Sequence, residues 1–240
     1  MRKQYFKYDK FGVPILSNIE IEYYAVKFLE KYYPKALIYP QKSPSIIIFY
    51  KLIEMNMCNL MIDDLGYKDN YKIRGKIIFS ENIIFIDRSL FKPENEHMLL
   101  FTVAHEMAHW VLHRHREIFI NRNLMPEKII LHEDCDQSKL QLEFQLTPER
   151  NIERQANCFA ANILMPKEML YQSLIAIQKE LGIIRNLGKI YIANNFSSKR
   201  DYYIIINKLS NLFGVSKTSV EIRLKSLKLV YDSQIYLQNH

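Results

Sequence analysis

Residues 101–110 have the sequence FTVAHEMAHW, and this stretch decides where the central helix of the chain must lie. Apolar residues recur around it at three- and four-residue intervals, which predicts a helix over about residues 94–113 with one broad buried face. His105 and His109 are four residues apart, so on a helix their side chains lie on the same side, one turn apart. Both imidazoles can therefore reach one metal ion.

Glu106 directly follows the first of these histidines and projects onto the flank of the same site. From there its carboxylate could take a proton from a water molecule bound to the metal. Two histidines in this spacing, with a glutamate after the first, are a signature of zinc metalloproteases when they lie on a helix. The apolar neighbours favour a buried helix over one with exposed histidines. The motif predicts one zinc ion, with His105 and His109 as ligands and Glu106 as general base.

A catalytic zinc site needs a third protein ligand, and the sequence offers three candidates. His115 has the spacing of metzincins, but these require a glycine where this chain has Leu112. His113 lies about 12 Å from His105 along the helix axis, and we predict it to be a surface residue that interacts with the helix dipole. Glu153 is favoured, because a carboxylate on a neighbouring helix completes a two-histidine, one-glutamate site. The alternative for Glu153 is an ordinary surface carboxylate.

A second helix is predicted to carry Glu153. Thr147 and Pro148 have the pattern of an N-cap followed by proline at the first helical position, and the helix ends at Pro166. Asn157, one turn after Glu153, is placed to hydrogen-bond a ligand imidazole and to fix its orientation. The site is therefore predicted to lie between two helices.

The rest of the chain predicts an α+β fold in which a small antiparallel hairpin packs on the two helices of the site. Spacing and turn residues predict helices at about 18–33, 44–54 and 167–181, a strand at 58–62, and a hairpin formed by 72–79 and 83–87. Residues 116–145 are charged and weakly periodic, so we interpret them as a long excursion. We assign residues 1–181 to a zincin-like metallopeptidase domain.

Residues 182–240 are assigned to a small helical subdomain. Within it, residues 209–229 predict two short helices joined by a turn that contains glycine, a helix-turn-helix-like pattern. Lys217 and Arg223 are candidate contacts to nucleic acid or to substrate. The apolar residues of the same segment are also explained by packing against the peptidase domain, and this interpretation is favoured.

Composition limits the cellular setting. The 33 Lys and Arg exceed the 26 Asp and Glu, giving a net charge of +7, which favours acidic partners, nucleic acid among them, without identifying one. No apolar run approaches the roughly 20 residues of a membrane span, and the first residues lack a signal peptide. The three cysteines show no pairing that indicates a disulfide framework or a thiolate zinc site. We expect a cytoplasmic protein that does not contact a membrane.

Two stretches resemble the ImmA/IrrE metallopeptidases: residues 101–110, with His113 after them, and ERQANCFAANILMP at residues 153–166. The second is the more specific, and the resemblance extends over about residues 18–231. It implies a gluzincin-like zinc peptidase in which His105, His109 and Glu153 bind the metal and Glu106 is the catalytic base. Members of the family cleave cytoplasmic regulatory proteins, often helix-turn-helix repressors, and thereby release transcription. The resemblance implies the same class of substrate here.

Two other functions stay open. The first is a DNA-binding transcriptional regulator with an inert or structural zinc site, which rests on the basic pattern of residues 209–229. The second is a structural zinc protein, but structural sites usually have four protein ligands and often cysteine. No such cluster is visible in the sequence.

Overall fold

The computed structural model describes residues 6–68, 70–114 and 147–232. His115 and the excursion predicted at residues 116–145 lie outside the described residues. In the described regions, none of the helices has both the length and the apolar character that crossing a membrane requires.

Two helices precede five consecutive short strands in the first part of the chain, and helices dominate the rest. The helices are α1 (Asn18–Tyr32), α2 (Ser45–Glu54), α3 (Glu96–His113), α4 (Pro148–Leu164), α5 (Lys167–Glu180), α6 (Phe196–Phe213) and α7 (Lys217–Ser226). The strands are β1 (Asn59–Asp63), β2 (Tyr67–Lys68), β3 (Tyr71–Lys72), β4 (Gly75–Ile78), β5 (Ile83–Asp87), β6 (Ile190–Ile192) and β7 (Val230–Asp232). The predicted α+β fold class is confirmed.

A three-stranded sheet with the order β1-β5-β4 lies beside the central helix. The predicted hairpin is present as the antiparallel pair β4 and β5, and its turn contains Asn82 in a left-handed conformation with φ 54°. Strand β1 pairs with β5 in the parallel direction, a pairing that the sequence pattern did not predict. The strand order leaves β4 at an edge, and its Gly75 and Ile77 are buried.

Helix α3 forms the centre of the molecule and packs against α2, α4 and β4. Fourteen of its 18 residues are buried. The sequence predicted that one broad face of this helix is buried. The structure buries more of the helix than that, because neighbouring elements cover its other side as well. The buried residues include five with polar side chains: Thr102, His105, Glu106, His109 and His113. Burying polar groups costs free energy unless they are paired. These five buried polar residues therefore indicate that a functional site lies along α3.

The C-terminal region differs from the two short helices predicted for it. Helix α6 spans 18 residues and begins in the polar stretch before residue 200, because the Asn195 side chain caps it by accepting a hydrogen bond from the Ser198 N–H. Gly214, with φ 66°, ends the helix and opens the turn into α7. Strands β6 and β7 form a parallel pair that was not predicted. One core cluster includes residues on both sides of position 182, and the division into two domains there stays a prediction.

Candidate metal centre

Three side chains converge where α3 and α4 meet. Nε2 of His105 and Nε2 of His109 are 3.0 Å apart, and Oε2 of Glu153 lies 3.2 Å from the first and 3.6 Å from the second. Zinc bonds of about 2.0–2.1 Å in tetrahedral geometry place neighbouring ligand atoms about 3.3 Å apart. The three separations fall within a few tenths of an ångström of that value. The donor set therefore fits a zinc ion bound by two imidazoles and one carboxylate.

The local sequence of α4 brings Glu153 to this point. Thr147 caps the helix by accepting a hydrogen bond from the Arg150 N–H, and proline follows at the first helical position. Ala156 and Ala160 are fully buried and lie three and seven residues after Glu153, on the same side of the helix. Their small side chains let α4 approach α3 closely enough for a glutamate to reach both histidines.

Asn157 lies behind the ligand His105. Its Oδ1 is 2.9 Å from Nδ1 of the ring. An amide oxygen can only accept a hydrogen bond, so the ring donates from Nδ1. A neutral His105 then has its lone pair on Nε2, the atom that faces His109 and Glu153. The structure thus places Asn157 where it can select the metal-binding form of this imidazole.

The expectation that His113 is a surface residue is wrong. It is 1% exposed, and its Nδ1 lies 3.0 Å from Nδ1 of His109. Its Nε2 lies 3.1 Å from Oε1 of Gln155, a residue of α4 that sequence reasoning missed. Periodicity could not find this contact, because nothing local indicates that α4 covers the end of α3.

The contacts within the triangle hold Glu153 in its charged form. Burial by itself raises the pKa of Glu153, but the charge of His109 and hydrogen bonds from both histidines lower this pKa well below its ordinary value. Burial lowers the pKa of His105, and the contact with Glu153 outweighs it, so the net shift is upward. Glu153 is therefore held ionised, which is the form that binds a metal.

Glu106 is buried beside this triangle without being part of it. It is 1% exposed, and its Oε2 has no hydrogen-bond partner among the residues that the structure describes. Burial, with a smaller contribution from the charge of Glu153 and an opposing one from His105, raises the pKa of Glu106 to about 8. A buried carboxylate oxygen without a partner is costly. Its position beside the three potential metal ligands makes Glu106 the candidate for the chemistry of this site.

Gly75 on the edge strand β4 touches Glu106 from the side of the sheet. A Cβ atom added at this position would lie 2.5 Å from Oε1 of Glu106 and 2.8 Å from Cγ2 of Thr102. Both distances are shorter than side chains tolerate. Glycine here lets the backbone of β4 pass directly over the carboxylate.

Replacing Gly75 with alanine is expected to lower peptidase activity by about 10- to 100-fold, because the added methyl group displaces the Glu106 carboxylate. Zinc content should not change, since none of the three ligands is touched. Rates of protein-substrate cleavage and metal analysis of the purified variant measure the two effects. Lys68→Ala, at an exposed position of β2 outside this strand, is the control and should keep full activity. Equal cleavage rates for the Gly75 variant and the wild type would contradict the close approach of Gly75 to the Glu106 carboxylate.

The structure separates the two basic residues proposed as partner contacts. Lys217 is exposed at the start of α7. Arg223 is 5% exposed, and its guanidinium donates hydrogen bonds to Oδ1 of Asn162 at 2.6 Å and to the Met165 carbonyl at 3.3 Å. The side chain thus joins α7 to the end of α4, which argues against a direct contact between Arg223 and a partner, and the partner contacts of this segment stay a prediction.

The fold and the site together define a class, a protein with a potential metal centre formed by two histidines on one helix and a glutamate on the next. Residues 58–225 match the family model described as the IrrE N-terminal-like domain, peptidase family M78. The chain belongs to this metallopeptidase family, which confirms the resemblance seen in the sequence. No curated protein matches the chain.

Proposed function

We propose that this chain is a zinc-dependent endopeptidase that cleaves a cytoplasmic regulatory protein, a helix-turn-helix transcriptional repressor. The observation that carries the proposal is the triangle of His105, His109 and Glu153, with the unpartnered carboxylate of Glu106 buried beside it. Membership of a peptidase family supports hydrolysis of peptide bonds as the reaction. The repressor as substrate rests on the resemblance to the ImmA/IrrE family.

The side chains of the site divide the chemistry between them. His105, His109 and Glu153 would hold the ion, and Asn157 keeps the first of them oriented. Zinc in such a site polarises a carbonyl oxygen and makes water more acidic. Glu106 would accept the proton of the attacking water and deliver it to the leaving amine. Burial raises the pKa of Glu106 to about 8, and a cation held by the three ligands would oppose this shift and favour the ionised carboxylate that can accept a proton. Its Oε2 has no hydrogen-bond partner among the described residues.

The substrate is proposed to bind as an extended strand along β4. This strand lies at an edge of the three-stranded sheet, where its outer N–H and C=O groups can pair with a peptide. Since Gly75 lies directly over Glu106, a peptide paired with β4 would pass next to the catalytic carboxylate. The geometry of the edge supports cleavage inside a chain rather than at its end.

The alternative of a DNA-binding regulator loses support from the structure. One of its two named contacts, Arg223, is buried between helices. A purely structural zinc site is also disfavoured, because the cluster found in the described residues offers three ligands and structural sites usually have four. The metallopeptidase is the function that the described residues favour.

Co-expression tests the substrate class. The full chain is produced in zinc-supplemented cells together with helix-turn-helix repressors of the same organism, and the fragments are analysed by mass spectrometry. We expect one repressor to be cut at a single internal bond in a reaction that a zinc chelator stops. A zinc-loaded chain that leaves every repressor intact, but cuts an unrelated protein, would overturn the substrate class. A chain that binds no zinc would overturn the proposal as a whole.

A further inference from the structure

A row of buried hydrogen bonds leads away from the metal centre on the side of His109. It runs from Nδ1 of His109 to Nδ1 of His113 at 3.0 Å, and from Nε2 of His113 to Oε1 of Gln155 at 3.1 Å. It ends where Nε2 of Gln155 donates to the Pro14 carbonyl at 2.6 Å. The three side chains are 2%, 1% and 0% exposed. Nothing in the reaction proposed above uses His113, Gln155 or Pro14.

Each hydrogen bond of this row has a defined donor and acceptor, because the last acceptor is the Pro14 carbonyl. A carbonyl oxygen can only accept, so Gln155 must donate from its amide nitrogen and present its oxygen to His113. That oxygen also can only accept, so the proton of a neutral His113 lies on Nε2. The Nδ1 atom of His113 is then unprotonated. This unprotonated Nδ1 accepts a hydrogen bond from Nδ1 of His109. His109 is then unprotonated at Nε2, the atom that faces Glu153.

We infer that His113 and Gln155 are positioning residues that fix the tautomer and orientation of the metal ligand His109, with the Pro14 carbonyl as the final acceptor. The inference rests on the metal site of the proposed function. The two histidine ligands are thus held differently. His105 has one amide behind it, from Asn157, whereas His109 is held through two side chains and the backbone of another segment.

The segment that supplies the last acceptor is itself fixed. Pro14 forms an antiparallel bridge with Tyr8, and Arg154 of α4 donates a hydrogen bond to the Leu16 carbonyl at 3.1 Å. This segment lies before residue 58, where the match to the family model begins. The orientation of His109 therefore depends on a part of the chain that the family match does not include.

A matched pair of glutamine variants tests the inference. Gln155 and Gln178 are both buried, at 0% and 1% exposure, and each donates from Nε2 to a backbone carbonyl. In Gln155→Leu we expect zinc affinity, measured by chelator competition on the full chain, to fall by about 10- to 100-fold, the usual effect of losing a partner behind a metal ligand. Gln178→Leu should bind zinc like the wild type. Wild-type affinity in both variants would overturn the inference while leaving the proposed function intact.

Substitutions of His113 test the direction of the row. The amide oxygen of His113→Asn can still accept from Nδ1 of His109, whereas His113→Leu cannot. We expect the asparagine variant to keep zinc affinity within a few-fold of the wild type and the leucine variant to lose about 10- to 100-fold. Equal affinities in the two variants would overturn the role of His113 as an acceptor.

Nitrogen-15 spectra of the zinc-loaded wild-type chain need no variant. They should show His113 protonated at Nε2, with His105 and His109 protonated at Nδ1. Protonation of His113 at Nδ1 would overturn the inference even if a variant failed to fold. A wild-type chain that binds no zinc would overturn the inference together with the proposed function.

Discussion

Replacing Glu106 with glutamine is expected to lower the cleavage rate by about 10²- to 10⁴-fold, the usual contribution of a general base, while zinc stays bound. Glutamine has the same shape but cannot accept the proton of the attacking water. The variant should fold, because burial already favours the neutral form of this carboxyl, whose pKa is raised to about 8. Initial rates with a protein substrate found by the co-expression experiment, and the zinc content of the purified variant, measure the two parts of the prediction.

Glu96→Gln is the matched control, since Glu96 lies on the same helix but forms an exposed ion pair with Lys42. This variant should cleave at the wild-type rate. If the Glu106 variant cleaved as fast as the control with zinc bound, the assignment of Glu106 as general base would fail. If it lost both zinc and activity, its role would be structural.

Replacing Glu153 with glutamine should weaken zinc binding by more than about 100-fold, because losing a ligand costs more than losing a partner behind one. The ionised carboxylate that completes the triangle is gone, and two neutral imidazoles remain. Zinc at 100 times its dissociation constant should stabilise the wild type against unfolding by about 2.7 kcal/mol, and the variant should lose this gain at the same concentration. Thermal unfolding with and without zinc measures the difference.

The control for this variant is Glu149→Gln, which removes an exposed carboxylate from the first turn of the same helix. It should keep the zinc-dependent stabilisation of the wild type. Zinc-dependent stabilisation in the Glu153 variant equal to that of the control would show that Glu153 is not a ligand. The third ligand would then have to be sought among other residues.

Local spacing was enough to predict the elements that carry the site. His105 and His109 share one side of α3 because a helix repeats every 3.6 residues, and Thr147 with Pro148 marks the start of α4. The hairpin of β4 and β5 followed from two apolar runs and a short polar turn. The parallel pairing of β1 with β5 was missed, since partners distant in sequence leave no local signal.

Within the site, the sequence alone left several choices open. Glu153 was one of three candidates for the third position, favoured by its place on a neighbouring helix and then by the resemblance to a family. His113 was misplaced on the surface, and Gln155 and Gly75 were not considered. Arg223 was named only as a candidate contact on the basis of the helix-turn-helix-like pattern, and its burial against the end of α4 was not foreseen. Each of these depends on what a second element covers, and periodicity along one element cannot show that.

The sequence by itself determined two of the potential metal ligands, His105 and His109, because the positions of two histidines on one helix follow from backbone geometry alone. Only the tertiary structure decided which side chains surround them. The packing of α4 on α3 brings Glu153 within 3.2 Å of His105 and buries His113 against Gln155, and the edge strand β4 places Gly75 over Glu106. These contacts join residues far apart in the chain, so they form only when burial of the shared core fixes the elements against one another.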